Sequence, residues 1–223
     1  MIKKHIPNAL TCANLFFGCM AGVYAFNGDL KTVAFFTLVS GVFDFFDGFA
    51  ARLLHVKSDI GRELDSLADV ISFGFVPGIV LFKLLSLSLP GYWPYIGFII
   101  TVFSALRLAK FNIDTRQTED FIGLNTPMNT FFVVSLPYLL DDFAWVSNPY
   151  FLVILSFLLS YLLVSEIRFF SMKFSKLSWQ ANKFKFTFLI SAIVLLAVFN
   201  VAAVPLILLA YLVFSALHFK YQV

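Results

Sequence analysis

Long apolar stretches, separated by short polar or turn-forming segments, run through the whole chain. About 20 apolar helical residues cross a bilayer core, and eight stretches come near that length. They are residues 6–26, 31–54, 65–87, 93–111, 128–145, 149–167, 185–200 and 203–219. The breaks carry turn residues such as Asn27-Gly28-Asp29 and Pro90-Gly91. The pattern predicts an all-α, polytopic transmembrane helix bundle of about eight spans, of which Asp141 and Asp142 weaken the fifth.

The composition supports a membrane protein. Of 223 residues, 60% are hydrophobic and 13% charged, whereas soluble domains are about half apolar and a quarter charged. No internal repeat or low-complexity segment is visible, so an inverted-repeat transporter gets no support. Residues 1–223 are interpreted as one transmembrane domain. The apolar run from Ile6 lacks a clear cleavage site of small residues and is interpreted as an uncleaved first span.

The basic residues predict the orientation. Eight spans put both termini on one side, and of the 16 Lys and Arg residues only Lys31 and Lys83 then fall on the other. Because Lys and Arg are enriched in cytoplasmic loops, both termini are predicted to be cytoplasmic.

Four aspartates stand where apolar residues are expected. Asp44 and Asp47 are three residues apart, and Asp65 and Asp69 are four apart, so each pair shares a helix face. An ionised carboxylate inside a membrane costs on the order of several kcal/mol, which favours a functional role. The nearest cation in the sequence is Arg52. Carboxylates without His or Cys suit Mg²⁺, Mn²⁺ or Ca²⁺, so two adjacent antiparallel helices are predicted to hold one or two such cations.

Two other interpretations compete with a metal site. The acids could pair with loop lysines at the membrane interface, or mark the ion pathway of a cation-coupled transporter. A pathway fits less well, because the acids cluster at one surface instead of extending through the bilayer. Gly48 and Ala51 leave room for a ligand near the backbone, and Ser58 or Asp59 can cap the third helix, with Gly61 allowing close packing at its start.

One segment resembles the complete signature of the CDP-alcohol phosphotransferase family. It reads Asp44-x-x-Asp47-Gly48-x-x-Ala51-Arg52, then eight residues, then Gly61-x-x-x-Asp65-x-x-x-Asp69. The resemblance implies a membrane enzyme that uses an alcohol to displace CMP from a CDP-linked lipid. It also implies roles: Asp44, Asp47 and Asp65 bind metal, while Asp69 is the general base with a metal contact of its own. Mg²⁺ or Mn²⁺ is the implied cofactor, two ions per active site. The implied CDP-lipid-binding residues are Gly48, Ala51, Arg52, Gly61, Asn8 and Thr11.

A wider resemblance, over about residues 5–130, narrows the substrates. Residues 6–11, 63–74 and 106–112 are similar to membrane-type phosphatidylserine synthases, while the last three spans match only in hydrophobic character. The implied substrates are CDP-diacylglycerol and L-serine. Asn125, Met128 and Asn129 depart from the family pattern. Glycerol 3-phosphate or an inositol phosphate is the alternative acceptor.

Serine is a zwitterion, so its carboxylate needs a cationic or hydrogen-bonding partner. Arg107, Lys110 and Asn112 are the predicted serine-binding residues, although positive-inside anchoring also explains Arg107 and Lys110. We expect an integral protein of the cytoplasmic membrane, with its active site at the cytoplasmic face. No nucleic-acid partner is expected, and family resemblance suggests a homodimer.

Overall fold

The computed structural model describes residues 5–56, 58–114, 120–172 and 178–221, and these residues are nearly all helical. The α-helices are α1 His5–Phe26, α2 Leu30–Leu53, α3 Asp59–Asp69, α4 Val76–Ser86, α5 Ile99–Ile113, α6 Thr126–Ser135, α7 Pro149–Val164, α8 Trp179–Phe199 and α9 Val204–Tyr221. A π-helix, Val70–Phe75, joins α3 to α4, and the 3₁₀ segments are Trp93–Phe98, Leu136–Leu139, Ala144–Ser147 and Asn200–Ala203. Two short strands, β1 Phe121–Ile122 and β2 Arg168–Phe169, pair antiparallel.

Within the described residues, five helical stretches are long and apolar enough to cross a membrane: His5–Phe26, Leu30–Leu53, Asp59–Ser86, Trp93–Ile113 and Asn182–Tyr221. These stretches suggest an integral membrane protein, as the sequence predicted. The last one contains a chain reversal, because Asn200 takes a positive φ of 51° and α8 packs against α9. Among the described residues, α7 is a shorter apolar helix, and α6 is shorter still.

The fifth predicted span, 128–145, is longer than the helix that the structure contains. Regular helix ends at Ser135, and a 3₁₀ turn continues only to Leu139. Pro137 lies in that turn and has no N–H for an i→i−4 bond. Asp141 and Asp142 follow outside the helix, so the predicted end of this span is wrong by several residues.

Small side chains allow α1 to lie very close to its neighbours. The buried face of α1 consists of Pro7, Thr11, Asn14, Gly18, Ala21, Gly22 and Ala25. A Cβ on Gly18 would meet Ser72 in the π-helix, including its Cα at 2.9 Å. The α1 helix therefore packs directly against α2 and against the π-helix that follows Asp69.

The strand pair ties the start of α6 to the end of α7. Gly123 has φ +79° and donates from its N–H to the Ile167 carbonyl at 2.8 Å. Leu124 donates to the Leu162 carbonyl at 2.9 Å. A Cβ at position 123 would collide with the Leu163 carbonyl oxygen, so only glycine fits this crossing. The sequence pattern did not predict the strands.

Candidate active site

The two predicted aspartate pairs lie on consecutive helices that face each other. The helix α2 ends at Leu53, and α3 begins at Asp59 after a short turn. The hydroxyl oxygen of Ser58 accepts from the Gly61 N–H at 3.0 Å, which caps α3 as the sequence predicted. The carboxylates in the second half of α2 therefore meet those in the second half of α3.

Three of the four aspartates form a group that could hold a metal ion. Asp44, Asp47 and Asp65 each offer a carboxylate oxygen, and these oxygens lie within 4.8 Å of one another. Oxygens bound to one Mg²⁺ or Ca²⁺ are typically separated by about 3–5 Å. No Lys or Arg nitrogen lies within ion-pair distance of them in the part of the chain that the structure describes. An uncompensated, partly buried set of oxygen donors fits a hard divalent cation.

Asp69 stands outside this group of three. Its carboxyl touches that of Asp44 and is almost fully buried. The Asn14 amide donates to Asp69 Oδ1 at 3.2 Å. Asp69 is therefore beside the candidate metal site but has a hydrogen-bond partner of its own.

Residues of α1 also reach Asp47. The Thr11 hydroxyl donates to Asp47 Oδ2 at 2.7 Å and is almost completely buried. Thr11 was predicted as a lipid-binding residue, whereas Asn14 was not predicted as a site residue at all. A sequence signal existed for Asn14, since it is a polar residue on a face of otherwise small side chains.

A cavity of about 560 Å³ opens beside the aspartates, within the size range of small-molecule sites. It is lined by Pro7, Asn8, Thr11, Asp47, Gly48, Ala51, Val56, Ser58, Asp59, Gly61, Arg62 and Asp65. The lining includes five of the six residues predicted to bind the CDP-lipid. The sixth, Arg52, is exposed, and its Nη1 would lie 3.8 Å from a Cβ on Gly48. Arg62 lines the cavity without having been predicted.

The three predicted serine-binding residues do not surround one space. Arg107 is buried, donates from Nη1 to Thr126 Oγ1 at 2.9 Å and interacts electrostatically with Asp69. Lys110 is exposed and borders, with Arg107, a second cavity of about 30 Å³. Asn112 donates to Ser66 Oγ on α3 at 2.8 Å. Of the three, Arg107 is the residue that interacts with Asp69, the predicted general base.

Buried polar atoms remain unpaired on this side of the site. Arg107 Nε and both amide atoms of Asn129 have no hydrogen-bond partner among the described residues. Thr126, which accepts from Arg107, lies one helical turn before Asn129 on α6. An unpaired buried donor or acceptor costs about 1–3 kcal/mol. These atoms therefore offer binding capacity close to Arg107.

Comparison with known proteins assigns the family. The family model for CDP-alcohol phosphatidyltransferase matches residues 4–158. A relative in Bacillus subtilis, named CDP-diacylglycerol–serine O-phosphatidyltransferase, is 34% identical over 166 residues, covering 74% of this chain and 90% of the relative. Proteins of the same name in Helicobacter pylori (strain 26695) and Methanocaldococcus jannaschii are 32% and 34% identical. They cover 80% and 59% of this chain, and 76% and 60% of the relatives. The protein described here belongs to the CDP-alcohol phosphatidyltransferase family.

Proposed function

We propose that this protein transfers the phosphatidyl group of CDP-diacylglycerol to the hydroxyl of L-serine, giving phosphatidylserine and CMP. One observation carries the proposal: three aspartates from two consecutive helices are grouped for a divalent cation, and two of them, Asp47 and Asp65, line a cavity. The names of the relatives support serine as the acceptor.

The nucleotide end of CDP-diacylglycerol is assigned to the cavity of about 560 Å³. Gly48, Ala51 and Gly61 leave the backbone accessible to phosphate groups, and Arg62 and Arg52 supply positive charge at its edge. Asn8 and Thr11 supply polar groups from α1.

Asp44, Asp47 and Asp65 would hold Mg²⁺ or Mn²⁺, with Asp69 at the edge of a site for two ions. The bound cations would neutralise the pyrophosphate and stabilise the leaving phosphate of CMP. The carboxylates supply the oxygen ligands that such cations prefer.

Asp69 is assigned as the general base. Its carboxylate accepts the serine hydroxyl proton while that oxygen bonds to the phosphatidyl phosphorus and the bond to CMP breaks. Arg107 is assigned to the serine carboxylate, since it is buried and interacts with Asp69. Lys110 and Asn112 complete the proposed acceptor side.

The proposed arrangement is one domain of eight spans in the cytoplasmic membrane, with both termini and the cavity on the cytoplasmic side. It is supported by the distribution of Lys and Arg, of which only Lys31 and Lys83 fall on the opposite side. A homodimer remains a prediction from the family resemblance.

The test is CMP release from CDP-diacylglycerol by purified protein, offered L-serine, glycerol 3-phosphate or an inositol phosphate. We expect product with L-serine, loss of turnover in excess chelator and recovery with Mg²⁺ or Mn²⁺. Asp44→Ala should abolish turnover, while Asp142→Ala, an exposed aspartate outside the helices, should not. If only a phosphorylated acceptor gives product, L-serine is the wrong acceptor, but the transfer from a CDP-linked lipid still holds. Cation-driven flux into vesicles without CMP release would favour the transporter.

A further inference from the structure

Asn14 is a buried junction between three helical segments. Its amide Nδ2 donates to Asp69 Oδ1 at 3.2 Å, and its Oδ1 lies 2.5 Å from the Ser40 hydroxyl oxygen on α2. Its backbone carbonyl accepts from Ser72 Oγ in the π-helix at 3.2 Å. Asn14, Ser40 and Ser72 are all fully buried, so these bonds do not compete with water.

The partners of the Asn14 amide agree on one orientation. An ionised carboxylate is only an acceptor, so Asp69 requires the NH₂ group of the amide. The carbonyl oxygen then faces the Ser40 hydroxyl, which can donate to it. A flipped amide would set two acceptors, Asn14 Oδ1 and Asp69 Oδ1, against each other. Ser40 therefore favours the same orientation that Asp69 needs.

Hydrogen bonds from neighbouring helices support the backbone that follows Asp69. Asp69 ends α3, and the π-helix begins at the next residue. A π-helix departs from the regular i→i−4 bonding of an α-helix and is frequent at functional sites. Carbonyls of this segment accept bonds from other helices: Phe73 from Thr130 at 2.6 Å and Gly74 from Thr101 at 2.9 Å. Contacts from neighbouring helices thus hold the segment that carries the carboxylate.

We infer that Asn14, oriented by Ser40, is a positioning residue for Asp69. Its bond to Asp69 Oδ1 fixes the orientation of the carboxylate beside Asp44 and the attacking hydroxyl. The inference rests on the proposed function, in which Asp69 is the general base. Ser40 acts only through Asn14, since it lies on α2 with its hydroxyl directed at the Asn14 amide and backbone oxygens.

The test compares Asn14→Ala, Ser40→Ala and the double variant with the unaltered protein. Loss of a residue that orients an active-site carboxylate typically lowers activity by about 10–100-fold. We expect a single-turnover rate at saturating substrates lowered by about that factor for Asn14→Ala and by less for Ser40→Ala. The double variant should be no slower than Asn14→Ala, because residues acting as one unit are not additive. Ser40→Thr keeps the hydroxyl and should restore the rate.

Direct binding of CDP-diacylglycerol and thermal stability are measured on the same variants. Binding should be unchanged, since neither Asn14 nor Ser40 lines the nucleotide cavity. Ser156→Ala is the matched control, because among the described residues this buried α7 serine bonds within its own helix, to the Leu152 carbonyl at 2.7 Å.

Several results overturn the inference. Additive losses, weaker CDP-diacylglycerol binding in Asn14→Ala, or a rate for Ser40→Ala within twofold of the unaltered protein would each do so. The Ser40 result stands by itself if Asn14→Ala does not fold. Absence of CMP release by the unaltered protein would defeat the transferase and the inference together. If the unaltered protein releases CMP and the Asn14 and Ser40 variants release it at the same rate, the inference fails and the proposed transferase function stands.

Discussion

At the scale of single residues, the four aspartates divide into two environments. Asp65 belongs to the group of three carboxylates, whereas Asp69 lies beside that group and accepts from Asn14. The helical spacing alone predicted two similar pairs. Asp69 differs from Asp65 because Asn14 on α1 donates to it. The spacing of residues along α2 and α3 does not predict that contact.

Replacing Asp69 and Asp65 by Asn should separate their roles. Asp69→Asn keeps shape and lacks a basic carboxylate, so it should still bind CDP-diacylglycerol and lose about 10²-fold or more in the chemical step. Asp65→Asn should weaken metal and CDP-lipid binding together. The measurement is nucleotide-lipid affinity and single-turnover rate in one metal buffer. If Asp69→Asn loses affinity for CDP-diacylglycerol but keeps its single-turnover rate at saturation, Asp69 acts mainly as a metal ligand and not as the general base.

Thr11→Val should raise the concentration of Mg²⁺ or Mn²⁺ needed for half-maximal CMP release. The variant keeps the shape of the side chain and removes the hydroxyl that donates to Asp47 at 2.7 Å. A hydrogen bond to a charged group contributes about 1.5–3 kcal/mol, so an increase of about 10–100-fold is expected. Thr187→Val is the control, because this exposed hydroxyl bonds to the Lys183 carbonyl of its own helix. An unchanged metal requirement would remove Thr11 from the support of the site.

At the scale of elements, the contact between α1 and the π-helix sets the position of Asp69. Gly18 makes this contact possible, whereas Gly22, one turn further along the same helix, has room for a methyl group, with Ile79 Cδ1 at 3.7 Å. These two glycines look alike in the sequence. The structure distinguishes them because only one faces backbone atoms of its neighbour.

Gly18→Ala should therefore impair the protein, and Gly22→Ala should not. The added methyl group at position 18 forces α1 away from Ser72, and such overpacking costs about 1–3 kcal/mol. The expected result is a lower unfolding temperature and slower CMP release for Gly18→Ala. Gly22→Ala should match or exceed the original stability, since Ala is the better helix former by about 1 kcal/mol. Equal behaviour of both variants would show that the close approach is not needed.

The elements also mark the limit of prediction from sequence. Apolar length predicted the first helices closely, since α1 and α2 begin and end within one residue of the predicted spans. The helix interruption after Ser135 and the strand pair at Gly123 were missed. The interruption after Ser135 follows from Pro137, which the apolar run around it concealed. The strand pair depends on backbone contacts between segments distant in the chain, which hydropathy does not encode.

At the scale of the whole molecule, the C-terminal helices extend to the acceptor side of the site. The family match ends at residue 158, but α9 places the buried Tyr211 against the segment that precedes α6. The Tyr211 hydroxyl donates to the Phe170 carbonyl at 2.9 Å and interacts with Asn125. Asn125 caps α6 through the Met128 N–H at 2.8 Å.

A chain of contacts thus leads from the last helix to the general-base candidate. Thr126, next to Asn125, accepts from Arg107, and Arg107 interacts electrostatically with both Tyr211 and Asp69. The family model stops at residue 158, before α8 and α9, so no motif in these helices predicted this role. Tertiary contacts, and not a sequence motif, connect the last helix to the site.

Tyr211→Phe should raise the apparent KM for L-serine and leave that for CDP-diacylglycerol unchanged. Phenylalanine retains the aromatic packing on Phe169, whose ring is 5.8 Å away, and removes only the hydroxyl. A lost neutral hydrogen bond is worth about 1 kcal/mol, or about fivefold in affinity. CDP-diacylglycerol is assigned to a cavity lined by α1, α2, α3 and the turn between α2 and α3, which α9 does not border. Tyr221→Phe, on the exposed end of the same helix, is the matched control. If both KM values increase equally, or if neither increases, α9 contributes only packing and does not support the acceptor side.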